Sequence, residues 1–316
     1  MQRPCPILSR LAALPLSFTA VWCLADEAPP APPPTSYSAE IGLGGEYDTN
    51  VTIDELDTSI RQGDYALTLD AKVGLRKYFT QDTDLRLNYD FSQDLFQEFS
   101  RLNRQSHILG ANLGVKLQEV DTGLSLFYVN SLLDGKGFLE LYRVSPSLSG
   151  FINRKLFSRL AYVFADKRIV DRAERDAQTH NGELDLYYFA RGLRSYFNIG
   201  YRYKAEDANL ERLDYQAHAA KLRYIRRIDL DGKFLKLELA YRYEERDYSG
   251  ITPGIGGESE ASERADERHR WQVDLEYPLT PDSALQLYAA YSDYKSNYPI
   301  SNYEQGIIGT RFVYRW

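Results

Sequence analysis

Histidine, clustered acids and cysteine are the side chains that would carry chemistry in this chain. Its four histidines are His107, His180, His218 and His269. A nucleophilic hydrolase needs a base within hydrogen-bond reach of its hydroxyl. A histidine followed two residues on by serine would offer one, but His180-Asn181-Gly182 has no serine in that place. Asp266-Glu267-Arg268-His269 is only a loose grouping of acid and histidine. Two acid-rich stretches remain. Asp48, Asn50, Thr52, Asp54, Glu55 and Asp57 alternate oxygen ligands without the glycine and terminal glutamate of a calcium loop. Glu258, Glu260, Glu263, Asp266 and Glu267, tempered by Arg264, form an acidic tract that suits either a solvated face or a lid. The expectation is a chain that is not an enzyme, with no catalytic residue, metal or cofactor.

Both cysteines, Cys5 and Cys23, fall within an N-terminal secretory signal. Arg3 and Arg10 precede an apolar run from Leu11 to Leu24, and Cys23-Leu24-Ala25 offers small residues for cleavage after Ala25. The run is about 14 residues, short of the ~20 a spanning helix needs. Residues 1–25 are thus read as a signal peptide and 26–35, rich in proline, as an extended periplasmic leader. The mature chain would have neither disulfides nor thiolate metal sites. A net charge of −7 offers no basic stripe for nucleic acid, whereas 25 Tyr in 316 residues suits a surface at a lipid–water boundary.

The elements that would position these groups have a period of two. Tyr37, Ala39, Ile41, Leu43, Gly45 and Tyr47 oppose Ser38, Glu40, Gly42, Gly44, Glu46 and Asp48, and the pattern recurs to the C-terminus. It predicts about 14 strands over 36–316, the stretch Gln216 to Arg227 being the least regular. Short connections near Thr80, Glu119, Asn153, Arg191, Asp229 and Thr280 alternate with longer ones, as in a barrel whose turns lie in the periplasm and whose loops lie outside. The longest is expected from Asp247 to Glu267. The predicted fold is all-β, a transmembrane antiparallel barrel in the cell outer membrane. A soluble sandwich would show the same alternation, but not strands this long behind a signal peptide.

With the apolar face in lipid, Lys72, Arg76, Arg86, Asp90, Arg202, Lys204, Arg242, Asp274, Glu276, Arg311 and Arg315 are expected in the lumen. A barrel of this size is wider than side chains alone fill. The expected function is a transport conduit, a porin-like channel or an accessory to export; the alternative is a non-conducting surface barrel whose loops bind a partner.

The last strand alternates Ile308, Thr310, Phe312, Tyr314 and Trp316 against Arg311, Val313 and Arg315. It resembles the closing strand of bacterial outer-membrane barrels. That likeness implies that Phe312, Tyr314 and Trp316 are the signal read by the barrel-assembly machinery. Tyr47-Asp48-Thr49-Asn50-Val51, Arg268-His269-Arg270-Trp271-Gln272 and Ser296-Asn297 with Tyr303 are similar to the barrel half of surface-lipoprotein assembly modifiers and related uncharacterised barrels. In that family the barrel follows a tetratricopeptide domain, for which the proline-rich leader leaves no room. The resemblance implies outer-membrane lipid and an exported protein or polymer as partners.

Overall fold

The computed structural model describes residues 35–316 apart from 231, 254 and 256–260. The stretches expected to be a signal segment and a leader lie outside the described residues up to residue 34. Fourteen long strands form the wall: β1 (Thr35–Asp48), β4 (Asp64–Tyr78), β5 (Thr83–Phe96), β6 (Arg104–Leu117), β7 (Val120–Leu133), β8 (Lys136–Asn153), β9 (Leu156–Ile169), β10 (Ala177–Leu193), β11 (Ser195–Ala208), β12 (Tyr215–Leu230), β13 (Lys233–Pro253), β14 (Ala261–Pro278), β15 (Ser283–Ser296) and β16 (Tyr303–Arg315). Two short strands, β2 (Thr52–Ile53) and β3 (Thr58–Ser59), pair with each other inside the first loop.

Each long strand pairs antiparallel with its neighbours in sequence, and β16 pairs with β1, so the sheet is a closed barrel. The seam is continuous from Glu40 opposite Arg315, through Leu43 opposite Phe312, to Asp48 opposite Ile307. Closure satisfies the backbone groups that an open edge would leave unpaired in hydrocarbon.

The period-two pattern sorts the side chains. Leu43, Leu67, Leu109, Leu160, Ile199, Leu287 and Phe312 are exposed on the outer wall. Arginines and acids of the same strands pair with one another on the inner wall. This inverts a soluble protein and excludes the sandwich.

The turns on one side are short and those on the other are longer, with one exception. Leu133 to Lys136 is a two-residue hairpin with Asp134 and Gly135 both at positive φ, the backbone that such a turn requires. The irregular stretch Gln216 to Arg227 is fully paired strand within β12. The expected long loop from Asp247 to Glu267 is instead mostly strand. β13 and β14 stay in register to Asp247 opposite Ala265 and, after a shift, resume from Ile251 opposite Glu263 to Pro253 opposite Ala261. Gly250 allows this extension to lie close to the loop between β11 and β12, since a Cβ there would fall 2.3 Å from Arg212 Cα.

Leu160 lies near mid-height on the outer wall, so Leu160→Arg should destabilise the barrel in lipid by about 2–4 kcal/mol. Urea titration of the vesicle-embedded protein would measure this; an effect below about 1 kcal/mol would show that this face is not in hydrocarbon.

Candidate functional site: the lumen and its capping loop

The inner wall carries two groups of charges. Beside the seam, Arg315 donates to Glu40 at 2.6 Å and to both oxygens of Glu276 at 3.0 Å. Lys72 reaches Glu40 at 3.1 Å, and Arg311 pairs with Asp70 at 3.0 Å. Arg76 and Arg86 share Asp84 at 3.0 and 2.9 Å. Tyr288 lies across Gly309, where a Cβ would fall 2.3 Å from its ring, and donates to Glu46 at 2.8 Å. Asp90 accepts from Asn88, and Asp274 from Gln272.

The far wall, β8 to β14, holds the second group. Arg202 pairs with Glu244 at 2.5 Å, and Lys204 with Glu206 at 2.6 Å. Arg143 and Arg159 approach Glu183, and Lys221 reaches Asp185 at 2.7 Å. Arg242 stands opposite Arg270 in the register. Among the described residues no carboxylate lies within ion-pairing distance of either. These side chains line a cavity of about 700 Å³. Toward the short-turn end the same wall becomes apolar, where Phe157, Phe189, Tyr196 and Ile225 cluster with Phe151, Tyr187 and Leu193.

Of the residues expected in the lumen, only Glu276 and Arg315 pair with each other. Most of the rest find partners outside that set, Glu40, Asp70, Asp84, Glu206 and Glu244 among them, while Arg242 has no carboxylate within ion-pairing distance. The residues expected to form a lid are placed differently from one another. Glu258 and Glu260 lie outside the described residues. Glu263 and Glu267 are exposed on β14. Asp266 points inward and holds Arg264 in a two-pronged contact at 2.9 and 2.6 Å.

The loop over the mouth is 49–63. Val51 N donates to Gln62 O at 3.0 Å, and Ile60 N to Val51 O at 3.0 Å, closing a small hairpin around a 3-10 turn at Asp54–Leu56. Leu56 is buried against Phe138, Leu139 and Ile169. Asp57, left-handed at φ 53°, follows. Its carboxylate meets Arg268 at 2.6 Å, Arg264 at 3.4 Å, Arg246 at 3.5 Å and Arg175 at 3.7 Å. Arg175 also donates to the carbonyls of Glu55 and Leu56, and Ser301 to that of Asp57. On the other side Gln305 donates to Asp48 and Thr52, and Arg104 to Thr52 O. Anchors on β6, β13, β14 and β16 carry the loop across the opening.

Burial alone would raise the Asp57 carboxyl, but Arg268, Arg246 and Arg264 outweigh it and hold it well below the usual carboxylate range. The sequence carried a weak sign of this role: an aspartate between Leu56 and Thr58, of a type that tolerates the left-handed backbone.

Outer-membrane barrels share this fold. OmpT of Vibrio cholerae, folded in vitro, superposes with a TM-score of 0.52 at 10% identity over 91% of this chain and 99% of its own. A mutant of that protein lacking loop L8 gives 0.52 at 9% over 90% and 100%. An anion-selective porin from Comamonas acidovorans gives 0.49 at 8% over 89% and 99%. No protein-family model matches the chain, and no curated protein matches it in sequence. The chain has the fold of outer-membrane β-barrels. The expectation that it is not an enzyme is corrected here: at such low identity the OmpT matches show the fold alone, and a shared barrel fold leaves enzymatic activity open.

Asp57→Asn should release the loop, because breaking a buried ion pair costs about 3–5 kcal/mol. Protease cleavage within 49–63 in intact vesicles should rise accordingly; equal cleavage in both proteins would deny Asp57 that role. Because the folded pKa is depressed, the stabilisation is fully present above the ordinary carboxylate pKa of about 4 and is lost only as pH falls further. Protection from cleavage should therefore be flat from pH 8 to about 5.

Proposed function

We propose that the barrel is a transport conduit across the outer membrane whose extracellular mouth is narrowed by the loop 49–63. One observation carries this reading: a single acid on that loop neutralises arginines of the wall above a charged, open cavity. A loop whose one buried carboxylate gathers four arginines, beside a few hydrogen bonds and the Leu56 contact, is a removable constriction. Beneath it, Arg242 and Arg270 without acid partners favour small anions over cations. An accessory role in export is the other form of the conduit, supported by the stretches similar to surface-lipoprotein assembly modifiers. The density of ion pairs within the lumen favours a second reading, a non-conducting barrel whose loops bind a partner.

Planar-bilayer recording of the refolded protein separates the two. The conduit predicts stable single-channel steps that grow when 51–62 are replaced by a short Gly-Ser linker or when Asp57→Asn is introduced. It also predicts a reversal potential shifted toward the anion, reduced in Arg242→Ala with Arg270→Ala. Silence in all of these variants would sink the conduit and leave the surface-binding reading.

The closing strand is further proposed as the feature that the assembly machinery reads. Trp316 is exposed, stacks edge-on with Tyr314 at 4.8 Å and exchanges backbone hydrogen bonds with Ala39, so its ring and its strand pairing belong to one edge. Deleting Trp316 should lower the yield of heat-modifiable barrel in cell membranes while leaving refolding into detergent intact; unchanged membrane yield would remove the terminal aromatic from that role.

A further inference from the structure

All four histidines occupy the same place in a motif repeated around the outer wall. β5, β9, β11 and β13 each carry two outward aromatics: Tyr89 and Phe91, Tyr162 and Phe164, Tyr201 and Tyr203, Tyr241 and Tyr243. The strand that returns from the loop places a histidine directly opposite the second aromatic: His107, His180, His218 and His269. Each imidazole leans back so that its Nδ1 hydrogen-bonds the hydroxyl of the first tyrosine, at 2.7, 2.5, 2.7 and 2.9 Å. Ring separations repeat as well, 6.1 to 6.2 Å to that tyrosine and 5.1 to 5.4 Å to the aromatic opposite.

The four pairs stand at one height. The second aromatic is eight residues beyond the start of β5, β9 and β11, and ten beyond that of β13. At about 3.3 Å per residue and a tilt of about 40°, this is roughly 20 Å above the periplasmic end, close to the upper edge of a ~25 Å apolar band. The neighbouring rows agree. Two residues below the first tyrosines stand Leu87, Leu160, Ile199 and Leu239, while two above the second aromatics stand Gln93, Asp166, Ala205 and Glu245. The histidines mark the boundary between lipid tails and headgroups.

Their chemistry there is fixed by the tyrosine. A hydroxyl that donates to Nδ1 selects the tautomer with the proton on Nε2, and the protonated ring also carries one there. No second hydrogen-bond partner for any of the four rings is found among the described residues, so in that tautomer four Nε2–H donors are left for the headgroup layer. We propose that these Tyr–His pairs form a belt that hydrogen-bonds phosphate groups of outer-leaflet lipids and sets the depth of the barrel. The sites are graded. His107 stands opposite Asn130 with the Gln93–Gln105 pair above it, so it presents no acid. His180 has Asp166 nearby, His218 stands directly opposite Glu245, and His269 stands directly opposite Asp293 with Glu245 and Glu267 beside it; these acids repel phosphate.

The test is made on the full chain in nanodiscs of a neutral, phosphorus-free glycolipid, with or without phosphatidic acid. Adding phosphatidic acid should shift the Nε2 nitrogen resonances, most at His107 and least at His269. Phosphatidic acid retained on the purified protein should fall about fivefold per lost bond when all four are His→Phe, a change that keeps ring stacking. Should that variant not fold, Tyr→Phe at 89, 162, 201 and 241 keeps the imidazoles, frees the tautomer and should also lower retention. Equal retention by the wild type and a folded variant overturns the belt. So does an identical shift with inorganic phosphate in glycolipid discs, which would assign the donors to soluble phosphate.

Discussion

A strand in hydrocarbon must have every backbone N–H and C=O paired, and in a sheet that is possible only if the last strand returns to the first. The rest of the molecule follows from the β1–β16 seam. Closure fixes which face of each strand is inside, and the inside is where 14 strands must place side chains that lipid will not accept. The seam is therefore itself a site of charge pairing: Arg315 bridges Glu40 on β1 and Glu276 on β14 across the joint. Glycines at 42 and 309 make room for the Arg311 and Tyr288 side chains lying flat on the wall, and Gly44 lets the Thr310 backbone and Thr68 approach.

Inside such a wall, charges are cheap only when matched. Acid and base alternate between neighbouring strands over most of the lumen, so that few arginines lack a carboxylate. At the mouth the wall is over-supplied with guanidinium by Arg175, Arg246, Arg264 and Arg268. Asp266 and Glu244 answer part of that excess. Asp57, brought from another loop, answers the remainder. The capping loop is thus seated by a charge imbalance in the barrel rather than by a large apolar contact, Leu56 and its three buried neighbours being its main hydrophobic anchor.

The fold was legible because the physical rule behind it is local. Alternation such as Leu235, Leu237 and Leu239 against Lys236, Glu238 and Ala240 states at each residue which side is wet. The lumen residues could be nominated from the same rule, but their partners could not, since Glu40 meeting Arg315 depends on register between strands 275 residues apart. The outward Tyr–His pairs were hidden for a similar reason. Each histidine looks isolated in sequence, and only pairing across a loop sets it beside an aromatic.

Of the residues expected in a lid, those within β14 follow periodicity rather than composition. Arg264, Asp266, Arg268 and Arg270 alternate with Glu263, Ala265, Glu267 and His269, which is the signature of a strand with a charged inner face and not of a loop. In 49–63 the alternation breaks, and its acids are spent as acceptors: Asp48 for Asn50 and Gln305, Asp54 for Thr52, Asp57 for arginines. Apart from Glu55, the acids that looked like an incomplete calcium loop have protein donors as their ligands. What distinguishes Asp57 is that its cations come from the far wall, so the loop cannot satisfy it without lying across the opening.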